Sequence, residues 1–290
     1  MQPAVSNAIE RFPFATDSNS VAQPNALVTA VAGAAGISSR NFGYSAGGYL
    51  ASPPITLVST TPVQKFSFIS NITSVTVGSL VQAAGYISGH SSAYEGFTSG
   101  GDTTTGSYAN FIQKFPFAND ASATYAGTLS SARRGTAGMS STIRGYTGGG
   151  ENATVVLVST IDRFSLNGTE TISTSVGDLS QGRRRTAGCS STTNGYIVGG
   201  SLGSAVFTAA IDKFPFANEG NSTLTASLTA NVGSTQGSQS SNTSGYSSGG
   251  FLDGSILTNR IEKFSFVTDT SATFVGNLSQ AKRSLAGHNY

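Results

Sequence analysis

Apolar and polar positions in this chain alternate in short runs rather than at helical spacing, and the runs repeat with a period of about fifty residues. An apolar, acidic or amide, basic, aromatic segment recurs six times, at Ile9-Glu10-Arg11-Phe12, 63–66, 112–115, 161–164, 211–214 and 261–264. Strand alternation puts Phe12 with Phe14 on one face, and likewise Phe66 with Phe68, Phe115 with Phe117, Phe214 with Phe216 and Phe264 with Phe266. A leucine follows each aromatic by fourteen or fifteen residues, at Leu27, Leu80, Leu129, Leu179, Leu228 and Leu278. A Gly-Tyr/Phe-x-x-Gly-Gly segment occurs five times, centred on Tyr44, Phe97, Tyr146, Tyr196 and Tyr246. Three markers in one register predict a single structural unit copied along the chain.

The copy beginning at Arg185-Thr186-Ala187-Gly188-Cys189 reads as four short strands. Asn194-Gly195 is the hairpin-turn signal between the first two, the Gly-Gly doublet ends the second, Ile211-Asp212-Lys213-Phe214 is the third, and Leu228 closes the fourth. The phenylalanines are the expected glue between adjacent sheets. Segments 52–62 and 88–95 read as irregular loops, with His90 and Tyr94 as contact candidates.

Composition agrees. With 36 glycines, abundant Ser and Thr and only 10% charged residues, the chain is expected to be almost entirely β. Repeats running from end to end predict one domain over residues 1–290. The net charge of +2 argues against general nucleic-acid binding, and no apolar run reaches the ~18 residues of a membrane span. Residues 1–7 lack a secretory pattern, so the sequons at Asn71, Asn152, Asn167, Asn221, Asn242 and Asn277 are expected to stay unmodified. The single Cys189 rules out an internal disulfide framework.

In order, these landmarks resemble the kelch repeat: Arg134, Arg184 and Arg283 before first strands, the doublets at Gly47-Gly48, Gly100-Gly101, Gly149-Gly150, Gly199-Gly200 and Gly249-Gly250, and the closing leucines. The resemblance spans the chain and implies a six-bladed β-propeller. It departs at the last strand, where kelch repeats usually carry tryptophan and this chain has none. The Phe-Pro-Phe-Ala phrasing also resembles kelch-like proteins of marine bacteriophages, which implies a virion or tail-associated role. The chain starts just before a third strand and stops at the start of a first one, so the closing blade is expected to be shared between the two ends. A sixth Gly-Gly segment is missing. The closing blade is then three-stranded or irregular, unless residues 1–7, the final residues or a partner supply the strand.

Little in the chain points to catalysis. Only His90, His288 and Cys189 could start a metal cluster, so neither a metal nor another cofactor is expected. The acids Glu10, Asp162, Asp212 and Glu262 repeat at one position, which suggests pairing with loops rather than the two differently tuned carboxylates of a glycosidase. The one asymmetric feature is a basic rim of Arg133, Arg134, Arg183, Arg184, Arg185, Lys282 and Arg283. Arg134, Arg184 and Arg283 read as repeat residues bonding carbonyls of the next blade. Arg133, Arg183, Arg185 and Lys282 read as freer to bind an acidic glycan or protein. The expected function is a non-enzymatic virion protein in a tail, fibre or capsid-associated position, binding another virion protein or a host-surface ligand, with homo-oligomerisation left open. The alternatives are a cytoplasmic kelch-type interaction module and a carbohydrate-binding or hydrolysing propeller.

Overall fold

The computed structural model describes residues 5–52, 56–70, 72–168, 171–234 and 237–288. Asn71, parts of segments 1–7 and 52–62, and the last two residues lie outside them. Strand makes up 53% of the chain and no α-helix occurs among the described residues, so the all-β expectation holds.

Five four-stranded antiparallel sheets follow one another along the chain. Sheet 1 is built from Ala35–Ser38, Phe42–Ala46, Pro62–Ser67 and Val75–Ser79, and sheet 2 from Ser88–Ser91, Glu95–Ser99, Phe111–Pro116 and Thr124–Thr128. Sheet 3 comprises Ala137–Ser140, Arg144–Gly148, Thr160–Ser165 and Thr174–Asp178, and sheet 4 Ala187–Ser190, Asn194–Val198, Ala210–Pro215 and Thr223–Ser227. Sheet 5 comprises Gly237–Ser240, Ser244–Ser248, Arg260–Ser265 and Thr273–Asn277. Ahead of them stands a hairpin of Ser6–Arg11 and Val21–Val31 with two register irregularities.

Two details correct the sequence reading. Residues 88–95 are not an irregular loop, because Ser88–Ser91 is the first strand of sheet 2 and turns directly into Glu95–Ser99. Asn194-Gly195 is not a turn, because both residues lie in the second strand and the reversal is closed by Ser191 N donating to Asn194 O at 2.8 Å. The glycine is needed for space: a Cβ on Gly195 would lie 2.4 Å from Met139 Sδ, and one on Gly145 2.4 Å from Phe164 Cζ.

Aromatic rings join each sheet to the next. Tyr146 lies 5.1 Å from Phe214 and stacks on Phe216 at 4.9 Å, and Tyr196 meets Phe264 and Phe266 in the same way. Tyr246 of sheet 5 meets Phe12 and stacks on Phe14 at 4.7 Å, so the N-terminal hairpin occupies the position of a following sheet. Phe214 is fully buried, and Phe214→Ala is expected to cost about 3–5 kcal/mol through lost burial and the cavity left behind. A denaturant midpoint unchanged by that substitution would refute the inter-sheet packing.

Backbone hydrogen bonds outside the strand ladders link successive sheets in circuits. Gly33, Tyr86, Gly135, Arg185, Ser234 and Ser284 all have positive φ. Tyr86 N donates to Gly33 O, Gly135 N to Tyr86 O, Arg185 N to Gly135 O, Ser234 N to Arg185 O, Ser284 N to Ser234 O, and Gly33 N back to Ser284 O. A second circuit joins outer strands: Ser74 N donates to Ala26 O, Ala123 N to Ser79 O, Ser173 N to Thr128 O, Ser222 N to Asp178 O, Ala272 N to Ser227 O, and Ser20 N to Asn277 O. Both return to their starting point. The first strands approach so closely that a Cβ on Gly89 would lie 2.2 Å from Gly36 O, on Gly36 2.1 Å from Gly287 O, and on Gly287 2.0 Å from Ser238 O. The space between these first strands is only about 50 Å³.

Candidate functional site

The repeated acids sit at one position of the third strand, and each performs the same task. Asp162 accepts a hydrogen bond from Ser130 N at 2.7 Å, Asp212 from Ser180 N at 2.8 Å, Glu262 from Thr229 N at 2.9 Å and Glu10 from Ser279 N at 2.8 Å. Where the position is an amide, Gln64 Oε1 accepts from Thr29 N at 2.7 Å and Gln113 Oε1 from Gln82 N at 2.9 Å. Six copies therefore clamp the segment that leads into a first strand.

The cations follow the acids. Arg133 pairs with Asp162 at 3.2 Å with both side chains fully buried, Arg183 with Asp212 at 3.3 Å, and Lys282 with Glu10 at 2.5 Å. Opposite the neutral Gln64 and Gln113, the cation's position holds Val31 and Ala84. Opposite Glu262 it holds Val232, and Arg260 supplies the charge from its own strand at 3.0 Å. A buried carboxylate is matched with a cation, and an amide needs none. Burial pulls the Arg133 and Arg183 guanidiniums below the usual arginine range, against the opposing pull of their aspartates.

The basic rim is therefore rearranged. Arg133 and Arg183 are not free to bind a partner, since neither side chain reaches the surface, and Lys282 is engaged with Glu10. Consecutive residues of an extended segment point opposite ways, so when Arg133 turns inward Arg134 turns out. Arg134 bridges Asp102 at 2.6 Å and Glu151 at 3.2 Å, with Arg184 also against Glu151. These bonds go to carboxylates, not to the carbonyls expected from the sequence.

Aromatic rings complete this face. Arg134 lies 4.7 Å from the Tyr108 ring centre, Arg185 5.6 Å from Tyr86, and Arg283 4.4 Å from Phe251. Tyr108 donates to Glu151 at 2.7 Å, and Tyr49 donates to Asp102. The structure thus brings Arg134, Arg184, Arg185 and Arg283 to one face with Asp102, Glu151, Tyr86 and Tyr108, which sequence reasoning missed. The available signal was the residue following each Gly-Gly doublet: it is acidic at Asp102 and Glu151, where the next copy carries Arg134 and Arg184.

His90 and the thiol are interior groups, and His288 is half-buried. His90 is buried, its Nδ1 3.1 Å from Met139 O and its Nε2 2.9 Å from Ser99 Oγ, and burial lowers its pKa to about 4. It is therefore no surface contact, whereas Tyr94 is 80% exposed. His288 repeats this arrangement, with Nδ1 3.1 Å from Ile37 O. Burial raises the Cys189 thiol to about 12. Among the described residues no group of three His, Cys, Asp or Glu could hold a metal ion, and no helix is long and apolar enough to cross a membrane.

A second candidate is a cavity of about 960 Å³ between the N-terminal hairpin, the C-terminal segment and sheet 1, lined by Phe12, Phe66, Phe68, Leu285 and His288 among others. It is far larger than the space between the first strands.

No protein-family description matches this chain, and no curated protein does. Among solved structures, that of YjhT is similar over 88% of this chain and 86% of its own length, with a TM-score of 0.72 and 13% sequence identity. Identity that low carries the fold alone, and with the all-β sheets it makes the fold of this chain β-propeller-like.

Proposed function

We propose that residues 1–290 form one six-bladed, kelch-like propeller acting without catalysis as a rigid binding scaffold, and that it serves in a virion at a tail, fibre or capsid-associated position. The observation that carries the scaffold reading is the clamp: in six copies the same third-strand position accepts a backbone N–H from the segment after the closing leucine, the first residue after it for the four acids and the second for the two amides, so the repeated carboxylates are framework. Both backbone circuits have six members, which supports six blades closed by the two ends of the chain. The virion role rests on the likeness of the Phe-Pro-Phe-Ala repeats to phage kelch-like proteins.

The recognition surface is the face of Arg134, Arg184, Arg185 and Arg283. Arg185 and Arg283 lie over aromatic rings, an arrangement suited to acidic sugars or an acidic protein patch. Mass spectrometry of purified particles is expected to find this chain in a fixed ratio to other virion proteins. Its absence from particles would overturn the virion role. On an acidic-glycan array the Arg185→Ala, Arg283→Ala chain is expected to lose about tenfold or more in affinity with its melting temperature nearly kept. Unchanged binding would remove this face from recognition.

A further inference from the structure

We propose that the narrow space between the first strands binds a single anion of halide size, held by backbone N–H groups of those strands and by the Thr186 hydroxyl. It is a different site from the recognition face, and its test is independent of that reading.

Ladder register turns the N–H groups inward. In an antiparallel pair alternate residues bond across the ladder, and those between them face away. Ser39 N donates to Phe42 O at 2.9 Å, so Ile37 and Ala35 bond to Tyr44 and Ala46, while Ser38 and Gly36 face away from the second strand. Ser92, Ser141, Ser191 and Ser241 make the same closing bond, which turns Gly89, Gly138, Gly188 and Ser238 the same way. The serines two residues further on agree with this parity. Ser38 N donates to Ser91 Oγ at 3.0 Å, Ser91 N to Ser140 Oγ at 3.2 Å, Ser140 N to Ser190 Oγ at 2.9 Å and Ser190 N to Ser240 Oγ at 3.2 Å, each in the next sheet. Gly36, Gly89, Gly138, Gly188 and Ser238 line the space together with Gly287, and their N–H groups find no acceptor among the described residues.

Donors exceed acceptors there. The inward carbonyls lie against the α-carbon of a neighbouring first strand: Gly36 O against Gly89, Gly89 O against Gly138, Gly138 O against Gly188, Ser238 O against Gly287 and Gly287 O against Gly36. At each a Cβ would come within 2.0 to 2.3 Å of the oxygen. Contacts of this kind occupy the oxygens with Cα–H groups and leave the N–H groups over. The hydroxyls add to the excess. Ser88 Oγ and Thr136 Oγ1 share one hydrogen bond at 2.6 Å, which uses one of their two protons. In the next copy the equivalent of Ser88 is Ala137, and Thr186 Oγ1, in a residue 1% exposed that lines the space, has no partner.

The occupant follows from this imbalance. Buried backbone N–H groups in folded proteins almost always meet an acceptor. A water would bring protons of its own to a place short of acceptors, whereas a halide only accepts. The volume of about 50 Å³ takes a halide and excludes a bulky organic anion. The first strands also start from the face of Arg184, Arg185 and Arg283, whose charge raises the local concentration of anions.

The test is nuclear magnetic resonance of the full chain, with sodium chloride, sodium bromide and sodium gluconate exchanged at constant ionic strength. The amide signals of Gly36, Gly89, Gly138 and Gly188 are expected to move saturably with chloride, to move again with bromide and to stay in place with gluconate. The melting temperature should rise with halide over the same concentrations. The chain with Arg185→Ala and Arg283→Ala separates the site from anions gathered at surface arginines, and the glycine shifts should persist in it. Thr186→Val should weaken halide affinity about fivefold through the loss of one hydrogen bond, and Thr186→Ser should keep it. Glycine amides that follow ionic strength whatever the anion would mean that water fills the space, which overturns the site. Halide shifts that vanish with the two arginines, or a Thr186→Val chain that binds halide as tightly as the parent, would overturn it as well.

Discussion

Arg183→Ala is expected to lower stability by about 3 kcal/mol or more, among the largest effects of any single charge change in this protein. Removing the guanidinium leaves Asp212 fully buried without a cation and Ile197 O without its donor at 3.2 Å. Asp212 keeps the bonds from Ser180 N, Ser180 Oγ and Ser222 Oγ, which holds the loss toward the lower end of the usual range. The chain contains its own remedy. Sheet 2 has Ala84 in place of the arginine and Gln113 in place of the aspartate, and Gln113 still accepts from Gln82 N while its amide nitrogen donates to Gln82 O at 3.2 Å. Arg183→Ala with Asp212→Gln should therefore recover at least about half of the single-variant loss, because a neutral amide avoids the uncompensated buried charge. Denaturant titration of the two single variants and the double variant closes the cycle. Strictly additive losses would mean that the pair is not coupled, and the match between cation and acid across copies would then have no energetic basis.

What was legible from sequence follows from what repetition records. Period-two phenylalanines with a tyrosine or phenylalanine before each doublet mark one packing contact, and the rings lie where that pattern implies, at Tyr146 with Phe214 and at Tyr196 with Phe264. The rim was only half readable. Alignment fixes the position of Arg133 and Arg134 but not which turns inward; that depended on recognising Asp162 and Arg133 as partners 29 residues apart and comparing them with Gln113 and Ala84. His90 was misjudged because Ser88-Gly89-His90-Ser91 carries no apolar mark of a buried strand, although its register with Met139 and Cys189 placed it in one. Asn194-Gly195 misled because glycine serves two purposes. A tight turn needs its positive φ, whereas here it makes room beneath a neighbouring side chain.

Ending the chain at Arg283 is expected to destabilise it by about 4 kcal/mol, since the deletion removes two hydrogen bonds of the inner circuit and the packing of Leu285 and His288. Gly33 N and Ser234 O lose their partners in Ser284, and the surfaces of Gly36 and Ser238 that Gly287 covered become open. Hydrogen exchange should therefore accelerate first at Gly33. The N-terminal hairpin is then held to sheet 5 by Glu10, Asp17 and the Phe12 and Phe14 rings. Burial alone would raise the Glu10 pKa, but Lys282, Ser20 and Ser279 overcome it and hold the carboxyl at about 2, below its ordinary 4.5. A depressed carboxyl stabilises the folded state fully above the unfolded pKa and loses that contribution as pH falls toward the folded one. The shortened chain should accordingly keep its hairpin docked at neutral pH and release it between about pH 4.5 and 2, with exchange at the Ser279 amide rising in that window. Glu10→Gln should flatten the response, as Gln64 and Gln113 make the same clamp without a titrating group. A shortened chain as stable as the full one, or a Ser279 amide indifferent to acid, would mean that the two ends of the chain do not hold each other.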